Sequence, residues 1–265
     1  MSMSSIPVRA PASKLPPRAQ RADVELPPSV RIVKRGIDLA LSLIGLFVAA
    51  VLGPFLALAI HLDSPGPVFY RQRRASALKG RTAKGRCVFA EFDMLKFRTM
   101  RADAENHSGA VLAEENDPRV TRVGRFLRRT RLDELPQLWN VLMGDMTVIG
   151  PRPERPELLE NLALAIPFFE ERMRDTKPGI TGLAQVSLSY SGQAPPGGAV
   201  AALSGSLTNP FGLEQTEGSL ADDMRTKLLF DLAYVAALER FETFIVMELW
   251  VIVRTPWVML QGLGR

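Results

Sequence analysis

IDLALSLIGLFVAAVLGPFLALAI, residues Ile37–Ile60, is the stretch on which the reading of this chain turns. Its 24 residues make roughly 36 Å of straight α-helix, enough to cross the hydrocarbon core of a bilayer. Two features argue against a plain span. Gly53-Pro54 falls about two-thirds of the way along, where proline removes a backbone donor and crowds the preceding turn, so a break or kink is expected. The flanks are also basic on both sides, with Arg31, Lys34 and Arg35 before the run and Arg71, Arg73 and Arg74 after it. Positive charge marks the cytoplasmic side of a membrane segment, so both ends are expected to stay there. A re-entrant helical hairpin over residues 30–62, broken at Gly53-Pro54, satisfies both observations. A kinked spanning helix is the alternative.

Outward from this run the patterns change. Residues 1–29 carry prolines at 7, 11, 16, 17, 27 and 28 among Ser, Ala and Arg, which reads as a disordered tail without the apolar core of a secretory signal. Downstream, Ser64-Pro-Gly-Pro67 is a turn, and Val68–Arg73, a connector with Gly80 and Gly85, and Cys87–Met100 suggest a small β-hairpin. The alternation is only partial: Phe89, Leu95 and Phe97 share a parity with Glu91 and Asp93, while Val88, Ala90, Phe92 and Met94 share the other. From Pro118 the period is helical, with Val120, Val123, Phe126 and Leu127 opposed by Arg119, Arg122, Arg125, Arg128 and Arg129. Leu132, Leu135, Leu138, Trp139 and Leu142 form a second stripe. Thr130 with Asp133 three residues on resembles a capping box, which predicts Asp133 and Glu134 in a first helical turn. Gly150-Pro-Arg-Pro-Glu-Arg-Pro156 must be extended or turning. Residues 157–175 read as helix, Lys177–Gly182 as a rigid loop, 187–220 as an irregular insertion, and Ala221–Arg240 and Phe241–Arg254 as amphipathic helices. Trp250 and Trp257 suit either a membrane interface or a core. The fold class expected is α+β, mainly helical: a membrane hairpin, a small β-hairpin, and amphipathic interfacial helices around a compact catalytic domain at 63–265.

Composition narrows the chemistry. A net charge of +5 and a pI near 9.6 suit anionic lipid headgroups, phosphate-rich substrates or nucleic acid. Aromatics are only 7% of residues and no nucleic-acid motif is visible, which disfavours the last, as does the apolar run. Cys87 is the only cysteine, so no intrachain disulfide forms and a reducing compartment fits. His61 and His107 are too few for a zinc site and are assigned no catalytic role. Any metal would sit on carboxylates, which points to a hard cation such as magnesium. Adjacent acids such as Asp133-Glu134 are ordinarily a solvated helix face. Here arginines precede the pair and a Gly-Pro-Arg-Pro turn follows it. Carboxylates beside cations can stay ionised and share magnesium. An aspartate attacking phosphorus divides one difficult displacement into two.

RLDELPQLWNVLMGDMTVIGPRP, residues 131–153, is similar to the signature of the bacterial sugar transferases, the monotopic phosphoglycosyl transferases that prime glycan assembly on polyprenyl phosphate. The apolar run, SPGPVFYRQR (64–73), MLKFRTM (94–100) and KPGITGLAQV (177–186) agree with the family in order, and FDLAYV (230–235) more weakly. The resemblance implies a magnesium-dependent enzyme on the cytoplasmic face of the bacterial inner membrane, with a re-entrant helix. Asp133 would be the nucleophile on the sugar-bearing phosphate of a UDP-sugar, releasing UMP. Undecaprenyl phosphate would then accept the phosphosugar, as the first step of surface glycan, exopolysaccharide or lipopolysaccharide assembly. Glu134 would share the metal or handle a proton. Lys96, Arg98, Arg152 and Asp231 match positions expected to bind or support substrate. Each has a plain alternative: an outward-pointing edge strand for Lys96 and Arg98, a turn bracket for Arg152, a helix brace for Asp231. Asp145 and Glu154 read as structural. Anionic lipids would face the arginines from 119 to 129, and a homodimer is compatible with the reading. A non-catalytic membrane adaptor and a phosphohydrolase using water are the rivals. The stretch after Val186 is longer than a compact member needs, and neither the sugar nor the glycan is legible.

Overall fold

A computed structural model describes residues 26–83, 86–104, 117–188 and 220–261. The expected tail (1–29) falls almost wholly outside these residues, as do His107 and nearly all of the 187–220 insertion.

The apolar run lies within helix α1, Pro28–Asp63, which is 36 residues long and opens on Pro28, where the missing N–H costs no helical bond. Helical structure continues through Pro54, so the expected break at Gly53-Pro54 does not end the helix. Proline deletes one hydrogen bond there, and unbroken turns on either side keep the register. Only 6% of the most apolar 18-residue window is buried, which separates α1 from the core helix of a soluble domain. Leu43, Ile44, Phe47, Val51, Phe55 and Leu58 are all exposed along the middle of the helix. Both ends nevertheless rest on the same folded body. Near the start, Val30 packs among Ile149, Tyr234 and Phe244. Near the end, Ile60 packs on Phe97 and Leu127, and the Asp63 carboxylate accepts from the Val123 amide at 2.8 Å.

Strands β1 (Phe69–Arg81) and β2 (Cys87–Phe97) form the expected hairpin, antiparallel from Phe69↔Phe97 to Arg81↔Cys87. β1 runs further than its sequence suggested, and two register shifts lie between Ala75 and Gly80. The imperfect alternation has a physical reason: both faces of the hairpin are covered, at different heights. Cys87 and Phe89 enter a cluster with Leu159, Phe169 and Met173, whereas Phe92 and Met94, on the other parity, meet Val141 and Met146. Glu91 and Asp93, left on the open part of the first face, pair with exposed Arg73.

Helix α2 (Arg122–Thr130) starts at Thr121, whose hydroxyl accepts from the Gly124 amide at 2.9 Å, and stops where Arg131 adopts a left-handed conformation, φ 54°. This overturns the capping box: the Thr130 hydroxyl turns back to the Phe126 and Leu127 carbonyls. Asp133 and Glu134 therefore occupy a separate 3₁₀ turn, Leu132–Glu134. Helix α3 (Gln137–Met143) follows and ends on left-handed Gly144, whose amide satisfies the Asn140 and Val141 carbonyls. Strand β3 (Thr147–Ile149) pairs in parallel with β4 (Gly179–Thr181). Here the backbones close in so far that a Cβ on Gly179 would lie 2.2 Å from the Gly150 nitrogen. Helix α4 (Pro156–Ala165) is shorter than the 157–175 expected, because Pro167 forces Ile166 into an extended conformation. A 3₁₀ turn, Phe169–Met173, and helices α5 (Leu183–Ser187), α6 (Leu220–Ala237) and α7 (Phe241–Gln261) complete the body. On α7, Val246, Leu249, Trp250, Val253 and Trp257 form an exposed apolar stripe, so neither tryptophan is a core residue.

Candidate active site

Four elements converge on the acid pair: the 3₁₀ turn that bears it, β2, α3, and the Gly150-Pro-Arg-Pro loop after β3. Asn140 locks two of them together. Its side-chain amide donates to the Asp93 carbonyl at 2.9 Å and its oxygen accepts from the Leu95 amide at 3.0 Å, standing in for a missing strand partner. The adjacent residue on β2, Lys96, thereby faces the 3₁₀ turn.

The two acids then meet different surroundings. Glu134 lies within reach of three cations: Lys96 at 3.5 Å, Arg131 at 3.4 Å and Arg152 at 3.9 Å. Burial works against its charge, but Lys96, Arg152 and Arg131 outweigh it and hold the carboxyl below the usual range. Asp133 is buried, and among the described residues no protein group hydrogen-bonds its carboxylate. Burial first, and the neighbouring Glu134 charge second, push it up to about 6. Lys96, Arg128 and Arg152 moderate that rise. One acid is thus neutralised by its neighbours and the other is left ionisable near neutrality, a separation of roles by environment. Burial lowers Lys96 as well, while Glu134 opposes that shift. The positive φ of Arg131 costs on the order of 1 kcal/mol and turns the 3₁₀ element toward β2.

Glu134 separates two clefts. On one side is a small polar cleft lined by Arg74, Lys96, Gln137 and Arg152, where the buried Gln137 Nε2 has no partner. On the other is an apolar cleft of about 190 Å³ lined by Leu135, Leu138, Ile180, Val186 and Val258, with Arg131 and Glu134 among its few charges. Leu138 also abuts Gly45 of α1, so this cleft lies beside the membrane-type helix.

Of the residues expected to serve the site, Asp133, Glu134, Lys96 and Arg152 come together. Two do not reach it. Arg98 is buried, and its guanidinium donates to the Ser64 and Pro65 carbonyls, bracketing the turn after α1. Asp231 is buried in an ion pair with Arg172 at 2.7 Å. Arg172 in turn donates to the Arg152 carbonyl at 3.1 Å, so Asp231 supports the loop from behind. Asp145 accepts from the Asn140 side-chain amide at 3.4 Å. Sequence reasoning missed Asn140 and Arg172, which give no periodic signal. It also passed over Asp38, the one charged residue in the apolar run. An acid in such a setting is itself a signal.

Among the described residues no three His, Cys, Asp or Glu side chains gather as a metal cluster. Two adjacent carboxylates still fit magnesium, which takes one or two protein oxygens and completes its shell with water and substrate phosphate. The unbonded Asp133 carboxylate, charged against Glu134, is the donor chemistry such an ion requires.

Comparison with known proteins identifies the family. The family model described as bacterial sugar transferase matches residues 29–262. A Bacillus subtilis protein named for undecaprenyl-phosphate N-acetylgalactosaminyl 1-phosphate transfer is 48% identical over 141 residues, covering 53% of this chain and 73% of that protein. The exopolysaccharide production protein PSS of Rhizobium leguminosarum is 43% identical over 158 residues, covering 58% and 74%. The UDP-glucose:undecaprenyl-phosphate glucose-1-phosphate transferase of Escherichia coli is 42% identical over 157 residues, covering 59% of this chain and only 31% of its own length. With the family model matching well over half of its length, the chain belongs to the bacterial sugar transferase family.

Proposed function

We propose that this membrane-associated transferase moves a phosphosugar from a UDP-sugar to undecaprenyl phosphate through an aspartyl intermediate, priming assembly of a surface glycan or exopolysaccharide. The observation that carries the reading is the asymmetry of the acid pair: Glu134 held by three cations, Asp133 buried, unbonded and ionisable near neutrality. In the first step an Asp133 carboxylate oxygen attacks the sugar-linked phosphorus and the bond to the UMP oxygen breaks, leaving an acyl-phosphosugar and UMP. In the second, a phosphate oxygen of the lipid attacks the same phosphorus and Asp133 leaves as a carboxylate, giving a lipid diphosphate-sugar. Lys96 and Arg152 would face the donor phosphates, and Arg74 extends this positive lining. Placing fixed cations where charge develops is the main service such a transfer needs. Asp133 and Glu134 are the residues that would hold magnesium, whose contribution when bound is to neutralise phosphate charge.

The apolar cleft beyond Glu134 would seat the first isoprene units of the acceptor, since it lies next to α1 and offers hydrocarbon contacts to within reach of Arg131. A re-entrant placement of α1 accounts for both of its ends gripping one body. A span would part Arg35 and Asp63 by roughly 30 Å of hydrocarbon, yet Arg35 is bonded to the Val141 carbonyl and Asp63 to the Val123 amide. The apolar stripe of α7 would lie in the same interface, on the cytoplasmic face of the inner membrane. The test is UMP release from a panel of UDP-sugars with magnesium, with and without undecaprenyl phosphate. Multiple turnovers only with the lipid support the reading; steady turnover without it would make the protein a phosphohydrolase.

A further inference from the structure

The start of α1 is more than a membrane anchor. Lys34, Arg35 and Asp38 reach into the body and take hold of both ends of residues 141–149. Arg35 donates to the Val141 and Leu142 carbonyls at 2.7 and 2.8 Å, at the close of α3. The Asp38 carboxylate, itself 4% exposed, accepts from the Thr147 hydroxyl and the Val148 amide, each at 2.8 Å. Lys34 donates to the Ile149 carbonyl at 2.9 Å and is paired with Glu248 at 3.0 Å and Tyr234 at 2.8 Å, which bring in α7 and α6. Every residue of β3 is thus bonded by α1.

What lies at each end of the gripped segment gives these contacts their meaning. α3 begins directly after the turn that bears Asp133 and Glu134. β3 ends directly before Gly150-Pro151-Arg152. The distance between the acid pair and the Arg152 cation is therefore set through a segment whose two ends are fastened to one helix face. Packing alone would not call for a carboxylate at position 38, since an unpaired acid there would be strongly unfavourable.

We infer that Arg35, Asp38 and Lys34 are positioning residues for the transfer reaction, coupling the seating of the membrane helix to the alignment of Asp133 with Arg152. The kinetic part of the test rests on the proposed reaction; the exchange part does not.

The experiment uses the full chain in lipid nanodiscs, with Asp38→Ala, Asp38→Asn and Thr147→Val. Donor KM and kcat are measured with undecaprenyl phosphate and whichever of UDP-N-acetylgalactosamine or UDP-glucose gives the wild type its faster turnover. Hydrogen–deuterium exchange of residues 147–153 is followed without substrate. Asp38→Ala is expected to lower donor kcat/KM on the order of tenfold or more while the protein stays folded and membrane-bound. Exchange at 147–153 should rise. Asp38→Asn, which still offers an oxygen to the Val148 amide, should recover most of the loss. Unchanged kinetics in a folded Asp38→Ala protein, or unchanged exchange at 147–153, overturns the inference. If Asp38→Ala does not fold, Thr147→Val decides: a smaller loss in the same direction supports it and none overturns it. Should the wild type turn over no donor, the proposed reaction fails, and raised or unchanged exchange still supports or overturns the coupling.

Discussion

The two clefts on either side of Glu134 share a wall and little else. One is small and polar, lined by Arg74, Lys96 and Arg152; the other is larger and apolar, lined by Leu135, Leu138 and Val258. They share Glu134 and Ile180 and differ in what else they draw on. The polar cleft draws on the β-hairpin and the Arg152 loop, whose positions are fixed by Asn140, Arg172 and Asp231. The apolar cleft draws on α3, β4, α5 and α7, next to the exposed helix. A reaction between a water-soluble donor and a lipid acceptor needs two approaches of opposite polarity meeting at one nucleophile. In the proposed reaction the 3₁₀ turn, whose Glu134 lines both clefts, would be that meeting point.

If the division is real, variants should sort by cleft. Asp133→Asn removes the proposed nucleophile, the neighbour of the Glu134 that lines both clefts, and should show the largest effect, a loss of turnover of about 10⁴-fold or more in either half-reaction; retention of a tenth of wild-type UMP release would break the scheme. Lys96→Met or Arg152→Ala should cost about 10²-fold in kcat/KM for the UDP-sugar, measured at saturating lipid, with the lipid KM little changed. Filling the apolar cleft with Val258→Trp should invert that pattern, raising the lipid KM about tenfold, the scale of about two methylene groups of lost apolar contact. A shift in donor KM instead would merge the two clefts into one.

Proton linkage gives a subtler separation. Because the proposed nucleophile Asp133 must be ionised to attack and burial raises its carboxyl, turnover should fall about tenfold per pH unit on the acid limb of its profile. A raised carboxyl also means that the folded protein binds this proton more tightly than the unfolded chain, so its share of stability is lost as pH rises through about 6. Asp133→Asn removes a buried charge and should raise Tm at pH 7.5 by a few degrees. A lower Tm there would mean that the charge is better compensated than its burial implies.

Much of this arrangement was legible in the sequence, and the parts that were not have physical causes. The apolar run, the hairpin and the helical stretches carry their periodicities openly. The acid pair and Arg152 stood out because of their neighbours. Helix α1 continuing through Pro54 was not legible, since proline lowers helical stability without dictating where packing will tolerate it. The left-handed Arg131, which replaces the expected capping box, is a conformation that residue type does not announce, because it is uncommon for any residue but glycine. Arg98 and Asp231 were expected to bind or support substrate because they fall on positions that match the family's motifs. Their partners, the Ser64 and Pro65 carbonyls and Arg172, are set by tertiary structure alone. The partial alternation of Phe89, Phe92 and Met94 became clear only once both faces of the hairpin were seen to be covered.

The most direct test is chemical. The protein is mixed with a UDP-sugar radiolabelled in its sugar-linked phosphate, without lipid, quenched, and mapped by peptide. Label on Asp133, chased off by undecaprenyl phosphate, is the result expected; label elsewhere, or lipid product formed at full rate by Asp133→Asn, would contradict the account.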